Sequence, residues 1–245
     1  MSLQALAIKT DILHPGDDLL KFCIKHLSQL APKDFADGSI VAVTSKIVAL
    51  AEKALVAKDS ISKEALVRRE ADIFLGEGGY GCFLTIKEGL MIASSGIDES
   101  NAEGDFYILY PKDPHESARR LCQGLKAHFG FKNLGVILTD SKTEPLRKGV
   151  TGVALSHYGF KGLRNLIGEA DLFGRKLKMT QVNVADSLAV TAVFLMGESA
   201  EKCPLAVIRG APIEYGDSTE KGELSIKPED DLFSPLLSPL LQRKP

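Results

Sequence analysis

The apolar residues of this chain fall into short runs, and their spacing limits the folds open to it. Ser39–Thr44, Phe83–Ile86, Leu90–Ala93, Leu134–Thr139, residues 150–155 and Leu205–Ile208 are each long enough for one strand and are bounded by turn-forming or charged residues. They do not alternate with helical stretches at the spacing of a βαβ unit. Phe83–Ile86 and Leu90–Ala93 are separated only by Lys87-Glu88-Gly89, a hairpin signal with Gly89 where a positive φ is needed. The pattern predicts a mixed α+β fold of hairpin-rich sheets with packed helices rather than a doubly wound parallel sheet.

The helical signals are fewer but sharper. After Ser39–Thr44, residues Ile47, Val48, Leu50, Ala51 and Leu55 fall on one side of a helix. In Asp113-Pro114-His115-Glu116, Asp113 is a cap and Pro114 the first helical residue; Ala118, Leu121, Leu125 and Phe129 form the apolar stripe, and Gly130 stops the helix. Asp186 is expected to cap a helix over 187–196 that is apolar nearly all round and so buried, with Gly197 at its end. Lys176 to Val184 reads as an alternating strand. Residues 1–212 read as the catalytic region, and 213–245, with Ser-Pro-Leu-Leu twice, as a peripheral C-terminal tail.

Composition removes several function classes. With 30 Lys and Arg against 32 Asp and Glu, and a net charge of −2, the chain has no broad basic surface for nucleic acid. No apolar run approaches the ~18 residues that span a bilayer, and the N-terminus lacks the order of a signal peptide, so the expected location is the cytoplasm. The four cysteines are scattered with no CxxC pair and read as reduced thiols.

The chemistry is carried by two acidic residues. Asp98 lies in Ser95-Gly96-Ile97-Asp98-Glu99-Ser100-Asn101, and Asp140 ends Val136-Ile137-Leu138-Thr139-Asp140-Ser141. Each follows an apolar strand-like run and sits among small polar residues, the usual delivery of hard oxygen ligands to a divalent metal. A single such Asp more often serves as a turn or cap residue. A pair of them is stronger evidence for metal-assisted phosphate chemistry.

These segments are similar to one family. Gly96-Ile97-Asp98 with Ser100-Asn101, Tyr110-Pro111-Lys112-Asp113-Pro114 with Ser117-Ala118-Arg119, and Thr139-Asp140 with Pro145, Arg147 and Gly149 resemble the coenzyme F420-0:L-glutamate ligases, which add glutamate to a deazaflavin cofactor. The resemblance continues through Gly168, Asp171, Gly174-Arg175, Ala185-Asp186, Met196-Gly197-Glu198 and Val207-Ile208-Arg209-Gly210, and covers roughly residues 10 to 212. It implies two lobes, an intertwined homodimer, and a GTP- or ATP-dependent ligase that joins L-glutamate to a cofactor carboxylate.

What the resemblance implies for the site is specific. Asp98 and Asp140 would hold one divalent ion, Mg or Mn, with Ser141 and Glu198 reaching a second. Oxygen donors suit these ions better than zinc. Asp11-Ile12-Leu13-His14, Ser45, Lys46, Asn101 and the Met196-Gly197-Glu198-Ser199 segment would contact the nucleotide, and Arg147 would face a carboxylate or phosphate. Leu50, Ala54 and Glu144 stand where the family has basic residues, Ser94 where it has Asn and Ser187 where it has Glu. Such losses of positive charge leave the acceptor open between the deazaflavin and another glutamate-tailed cofactor such as a folate. Two alternatives of other classes are a non-catalytic nucleotide- or cofactor-binding homologue and a metal-dependent phosphohydrolase.

Overall fold

The computed structural model describes residues 2–100, 104–217 and 219–241. In chain order the elements are β1 (Gln4–Ile8), α1 (Leu19–Leu27), β2 (Ser39–Thr44), α2 (Ser45–Ala51), β3 (Leu55–Ala57), α3 (Lys63–Glu70), β4 (Ile73–Glu77), β5 (Phe83–Lys87) and β6 (Leu90–Ala93). There follow β7 (Phe106–Ile108), α4 (Pro114–Phe129), β8 (Leu134–Thr143), β9 (Val150–Tyr158), β10 (Leu163–Asn165), β11 (Gln181–Asn183), α5 (Val184–Met196), β12 (Leu205–Arg209) and α6 (Ser234–Leu241). The class is the mixed α+β expected from the strand spacing.

The main sheet has the order β1-β12-β2-β8-β9, in which only β2 and β8 run parallel. Ile40–Val43 at its centre are wholly buried, because both faces are covered. On one face Val41, Val43, Val136 and Leu138 pack with α1, α2 and α4; on the other Ile40, Ala42 and Ile137 pack with α5. Helix α5 lies directly on Gly152 of β9, where a Cβ would stand 2.6 Å from the Ala189 carbonyl oxygen. Bare backbone is what lets helix and strand touch there.

A smaller assembly sits beside this sheet. Strands β4-β5-β6 form an antiparallel meander, β3 pairs with β7, and Leu66, Val67, Ile97 and Tyr107 form its core with α3. The β5–β6 turn has Glu88 and Gly89 both at positive φ, 51° and 74°, as the hairpin signal required. Helix α4 is capped by Asp113, whose carboxylate accepts from Glu116 N, begins with Pro114 and stops at left-handed Gly130, as expected.

Four local expectations are corrected. The cap of α5 is Asn183, whose side chain accepts from Asp186 N at 3.0 Å; Asp186 lies in the first turn and accepts from Ala154 N at 2.8 Å, tying the helix to β9. Nor is α5 buried all round: Ala185, Leu188, Ala189 and Ala192 face the sheet, while Phe194 is 85% exposed. Of Lys176 to Val184, only Gln181–Asn183 is strand, because Asp171 accepts from Phe173 N and Arg175 N and holds the preceding segment in turns. Leu55 is in β3 and not on α2, since Lys53 at φ 55° breaks the chain out of helix.

The segment after residue 212 meets the main sheet at several points. Tyr215 donates to Gly38 O, Tyr158 to Asp217 O, and Glu223 pairs with His157. Among the described residues no helix is long and apolar enough to cross a membrane.

Candidate functional site

The site lies where the main sheet meets the smaller assembly. Parallel pairing sets Thr44 opposite Thr139, so the first turn of α2, with Ser45 and Lys46, emerges beside Asp140. Asp140 itself is not at a strand end, as the sequence had suggested. β8 runs on to Thr143, paired with β9, and the register slips between Leu138 and Thr139, where β9 carries one extra residue. That bulge re-aims the side chains beyond it.

Asp98 arrives from the other side. After β6 the chain turns through Ser94, Ser95 and Gly96, all at positive φ, 50°, 56° and 69°. The turn is pinned by Thr85 Oγ1, which accepts from Ser95 N at 2.9 Å, and by Ser95 Oγ, which donates to Val67 O at 3.1 Å. Asp98 then exchanges two backbone hydrogen bonds with Ile108, 2.9 and 2.8 Å long. The acid is thus held by backbone on both sides before its side chain makes any contact.

Lys46 Nζ stands 2.6 Å from Asp98 Oδ2 and 3.2 Å from Ser100 Oγ, while Asp98 Oδ1 accepts from Ser100 N and Oγ at 2.7 and 2.9 Å. Burial pushes the Asp98 carboxyl up, but Lys46 and Ser100 together outweigh it and hold it below the usual carboxylate range. Asp140 has the opposite balance. Burial, aided by the charge of Asp98, raises it to about 6, against the pull of Tyr110, Ser141 N and Lys46. Tyr110 Oη donates to Asp140 Oδ2 at 2.5 Å, and burial followed by the Asp140 charge keeps its phenol well above the usual value. The ring lies on Gly96, where a Cβ would stand 2.1 Å from Tyr110 Cζ.

The second expected group is also drawn together. Met196 is buried at the end of α5, Gly197 ends the helix at φ 81°, and Glu198 Oε2 accepts from Ser141 Oγ at 3.0 Å, linking this loop to the residue after Asp140. Ser199 N donates to Glu201 at 2.8 Å. Thr10 N donates to Lys202 O, which sets the Asp11–His14 segment next to the same loop. Within that segment Asp11 pairs with Lys25 and lies 3.8 Å from His26, Ile12 is exposed, Leu13 is buried, and His14 N donates to Asp17.

One expected residue stands apart. Arg147 is at the tip of the β8–β9 hairpin, beyond the Thr143–Val150 pair, and its guanidinium makes no hydrogen bond or ion pair among the described residues. Asn101 lies outside the described residues. Leu50, one of the positions where the family has a basic residue, is a core residue packed with α1 and β2; Ala54 is packed against the same core, and Glu144 pairs with Lys142 at 3.3 Å. The missing cations therefore fall on a buried position at 50 and a half-buried one at 54, while Glu144 presents its charge outward.

Tyr110 belongs to one of the family-like motifs, and sequence alone attaches no role to it. Its signal is a phenol placed between the apolar Ile108-Leu109 and a proline, where a bare apolar ring would have served packing alone. Among the described residues no three His, Cys, Asp or Glu side chains already form a metal cage. The donor set is two half-buried carboxylates that repel each other, with Ser141 and Glu198 adjoining. Hard oxygen donors with three carboxylates against the one Lys46 cation fit Mg²⁺ or Mn²⁺.

Comparison of whole sequences places the scaffold that carries these residues in a family. Residues 7–210 match the family described as F420-0:Gamma-glutamyl ligase. This chain belongs to that family. A relative named coenzyme F420:L-glutamate ligase from Methanococcus maripaludis strain C7 is 40% identical over 214 residues, 80% of this chain and 85% of its own. One of the same name from Methanocaldococcus jannaschii is 36% identical over 250 residues, covering 94% and 96% of the two chains. Another, from Methanopyrus kandleri, is 31% identical over 241 residues, covering 90% and 93%. Each of these relatives matches at least four fifths of this chain.

Proposed function

We propose that this member of the family is a nucleoside-triphosphate-dependent γ-glutamyl ligase that adds L-glutamate to the carboxylate of a deazaflavin cofactor. The observation that carries the reading is the pairing of Lys46-bound Asp98 with Tyr110-bound Asp140 where two sheets meet. A carboxylate does not react with an amine at neutral pH until one oxygen is made a leaving group. In the proposed sequence an acceptor carboxylate oxygen attacks the γ-phosphorus of GTP or ATP, forming an acyl phosphate as the nucleoside diphosphate leaves. The amine of glutamate then attacks the acyl carbon, expelling phosphate and losing a proton.

Asp98 and Asp140 would hold one Mg²⁺ or Mn²⁺ and Ser141 with Glu198 a second, and bound ions would offset charge on the transferring phosphoryl oxygens. The chain's own residues supply the rest. Lys46 fixes the Asp98 carboxylate and brings a cation to the phosphate side; Tyr110 orients Asp140. The Asp11–His14 and Met196–Ser199 segments, joined through Thr10 and Lys202, border the nucleotide. Arg147 stands clear of these carboxylates, so its proposed contact is with the acceptor or a partner subunit. A homodimer belongs to the same reading, supported by the uncovered apolar side chains Val190, Phe194 and Leu195 of α5 and by the projecting hairpin tip. The site of action proposed is the cytoplasm.

The test is incubation with GTP or ATP, Mn²⁺, labelled L-glutamate and a panel of acceptors that includes the deazaflavin precursor and a reduced folate, read by mass spectrometry. The expected result is a deazaflavin heavier by one glutamyl residue with matching phosphate release. Phosphate release with no amide from any acceptor would show a phosphohydrolase, and binding without either product a silent homologue. Preference for folate would trace to Glu144, and Glu144→Arg should then move it toward the deazaflavin.

A further inference from the structure

Tyr110, which holds Asp140, also lines a separate cavity of about 140 Å³ together with Glu70, Lys87, Glu88, Ser95 and Lys112. Sites for drug-sized ligands run to ~300–1,000 Å³, so a nucleotide or a tricyclic acceptor is too large for this one. The smallest participant in the proposed ligation is the amino acid.

The charges around the cavity suit that participant. Lys87 has only a loose ion pair, 3.9 Å from Asp72, and the Lys112 ammonium has none among the described residues. Glu70 is engaged with Arg69 at 3.1 Å. Among the described residues Glu88 makes no side-chain hydrogen bond or ion pair, and its backbone N donates to Asp72 Oδ2 at 2.7 Å. Two available cations and one available carboxylate complement a ligand with two carboxylates and one ammonium group.

Glu88 carries a second mark. It holds φ 51° at the β5–β6 turn, immediately before Gly89 at φ 74°. Turns of this kind favour Asn or Gly at that position, and a Glu there is conformationally strained. Strain retained at a cavity wall is a sign of use. Glu88 and Tyr110 line the same cavity.

We propose that this cavity receives the dicarboxylic α-amino acid co-substrate, L-glutamate, with Lys87 and Lys112 taking its carboxylates and Glu88 its ammonium group. The proposal rests on the ligase reading for the choice of ligand. It delivers the amine beside Tyr110, next to the carboxylates where the acceptor is to be activated.

Equilibrium dialysis of labelled L-glutamate tests it, with Mn²⁺ and a non-hydrolysable nucleotide present, using the wild-type chain, Lys112→Met and Glu88→Asn. Asn suits the left-handed turn, so Glu88→Asn should melt no lower than wild type and yet bind glutamate at least tenfold more weakly. Lys112→Met should lose at least tenfold as well. Glutarate, which lacks the ammonium group, should bind wild type and Glu88→Asn alike. Variants that bind glutamate within twofold of wild type, or a wild-type chain that binds none, would overturn the proposal. The ligase reading is judged separately, by amide product from the same preparations: product with unchanged glutamate KM in the variants removes the pocket alone, and glutamate bound as described without product from any acceptor removes the ligation alone.

Discussion

Two part-buried hydrogen-bonded pairs flank the β8–β9 hairpin, Tyr110 with Asp140 and His157 with Glu223, and they have opposite fates. In each, a strand residue meets a partner from outside the sheet, Tyr110 from the lead into α4 and Glu223 from the C-terminal segment. Burial drives both strand residues toward the neutral form: Asp140 is raised to about 6 and His157 is lowered, despite the opposing pull of Glu223. The His157 pair is closed, since Glu223 Oε2 also accepts from Gly162 N at 2.9 Å. Asp140 feels the charge of a second carboxylate, that of Asp98, beside its Tyr110 bond. Burial is common to both pairs; the second carboxylate is what sets the Tyr110 pair apart.

The largest expected effect breaks the comparison most directly. Asp140→Asn or Asp98→Asn should lower turnover by about a thousandfold or more, on the order of 4 kcal/mol of transition-state stabilisation, with the circular dichroism of the fold unchanged. His157→Asn, which keeps a donor for Glu223, should leave kcat within about threefold. Asp140→Asn turning over within tenfold of wild type would place the chemistry elsewhere.

A smaller effect is expected at Glu198, which reaches Ser141 on the open side. Glu198→Gln should weaken nucleotide binding about tenfold with Mn²⁺ present and hardly at all without it, as calorimetric titrations in the two conditions would show. Equal weakening in both would give Glu198 a structural role.

The smallest effect is on stability against pH, measured on metal-free protein by urea unfolding between pH 7.5 and 5. His157 has a native pKa below its unfolded value near 6.5, so in that window the unfolded chain binds more protons. Its contribution is present above about 6.5 and is lost as pH falls through the native pKa, by at most ~1.4 kcal/mol per unit. Asp140, raised from 3.8 to about 6, acts with the other sign: the native chain holds the extra proton and gains stability as pH falls through 6. His157→Asn should flatten the loss on acidification and Asp140→Asn should steepen it. Shifts in the same direction would show that the two pairs do not differ as described.

What the sequence made legible was local. Ser39–Thr44, the Lys87-Glu88-Gly89 turn, and the Asp113-Pro114 start and Gly130 stop of α4 depend on neighbours a few residues away, and all were found in place. What it did not show depends on partners far along the chain. The length of β8 is set by β9, and the choice between Asn183 and Asp186 as cap is made by the pull of Ala154 N on Asp186. Leu50, read as a lost basic position, is filled by the core that α1 and β2 build around it. In the site, Asp98 and Asp140 were nominated by their surroundings. The Lys46–Asp98 contact joins α2 to a loop 52 positions away, and Tyr110 to Asp140 spans 30; such pairings have no periodic signal.

The contact between Gly96 and the Tyr110 ring sets a tolerance for the whole site. An added methyl at 96 would come 2.1 Å from the ring, where 3.4 Å is ordinary contact, so the phenol would have to move by more than an ångström. Position 96 forms no bond to either site carboxylate, yet a single carbon there would uncouple the loop that carries Asp98 from the strand that carries Asp140. The allowed play between the two halves of the site is thus smaller than one methyl group, and it is enforced by a residue that contributes no functional group at all.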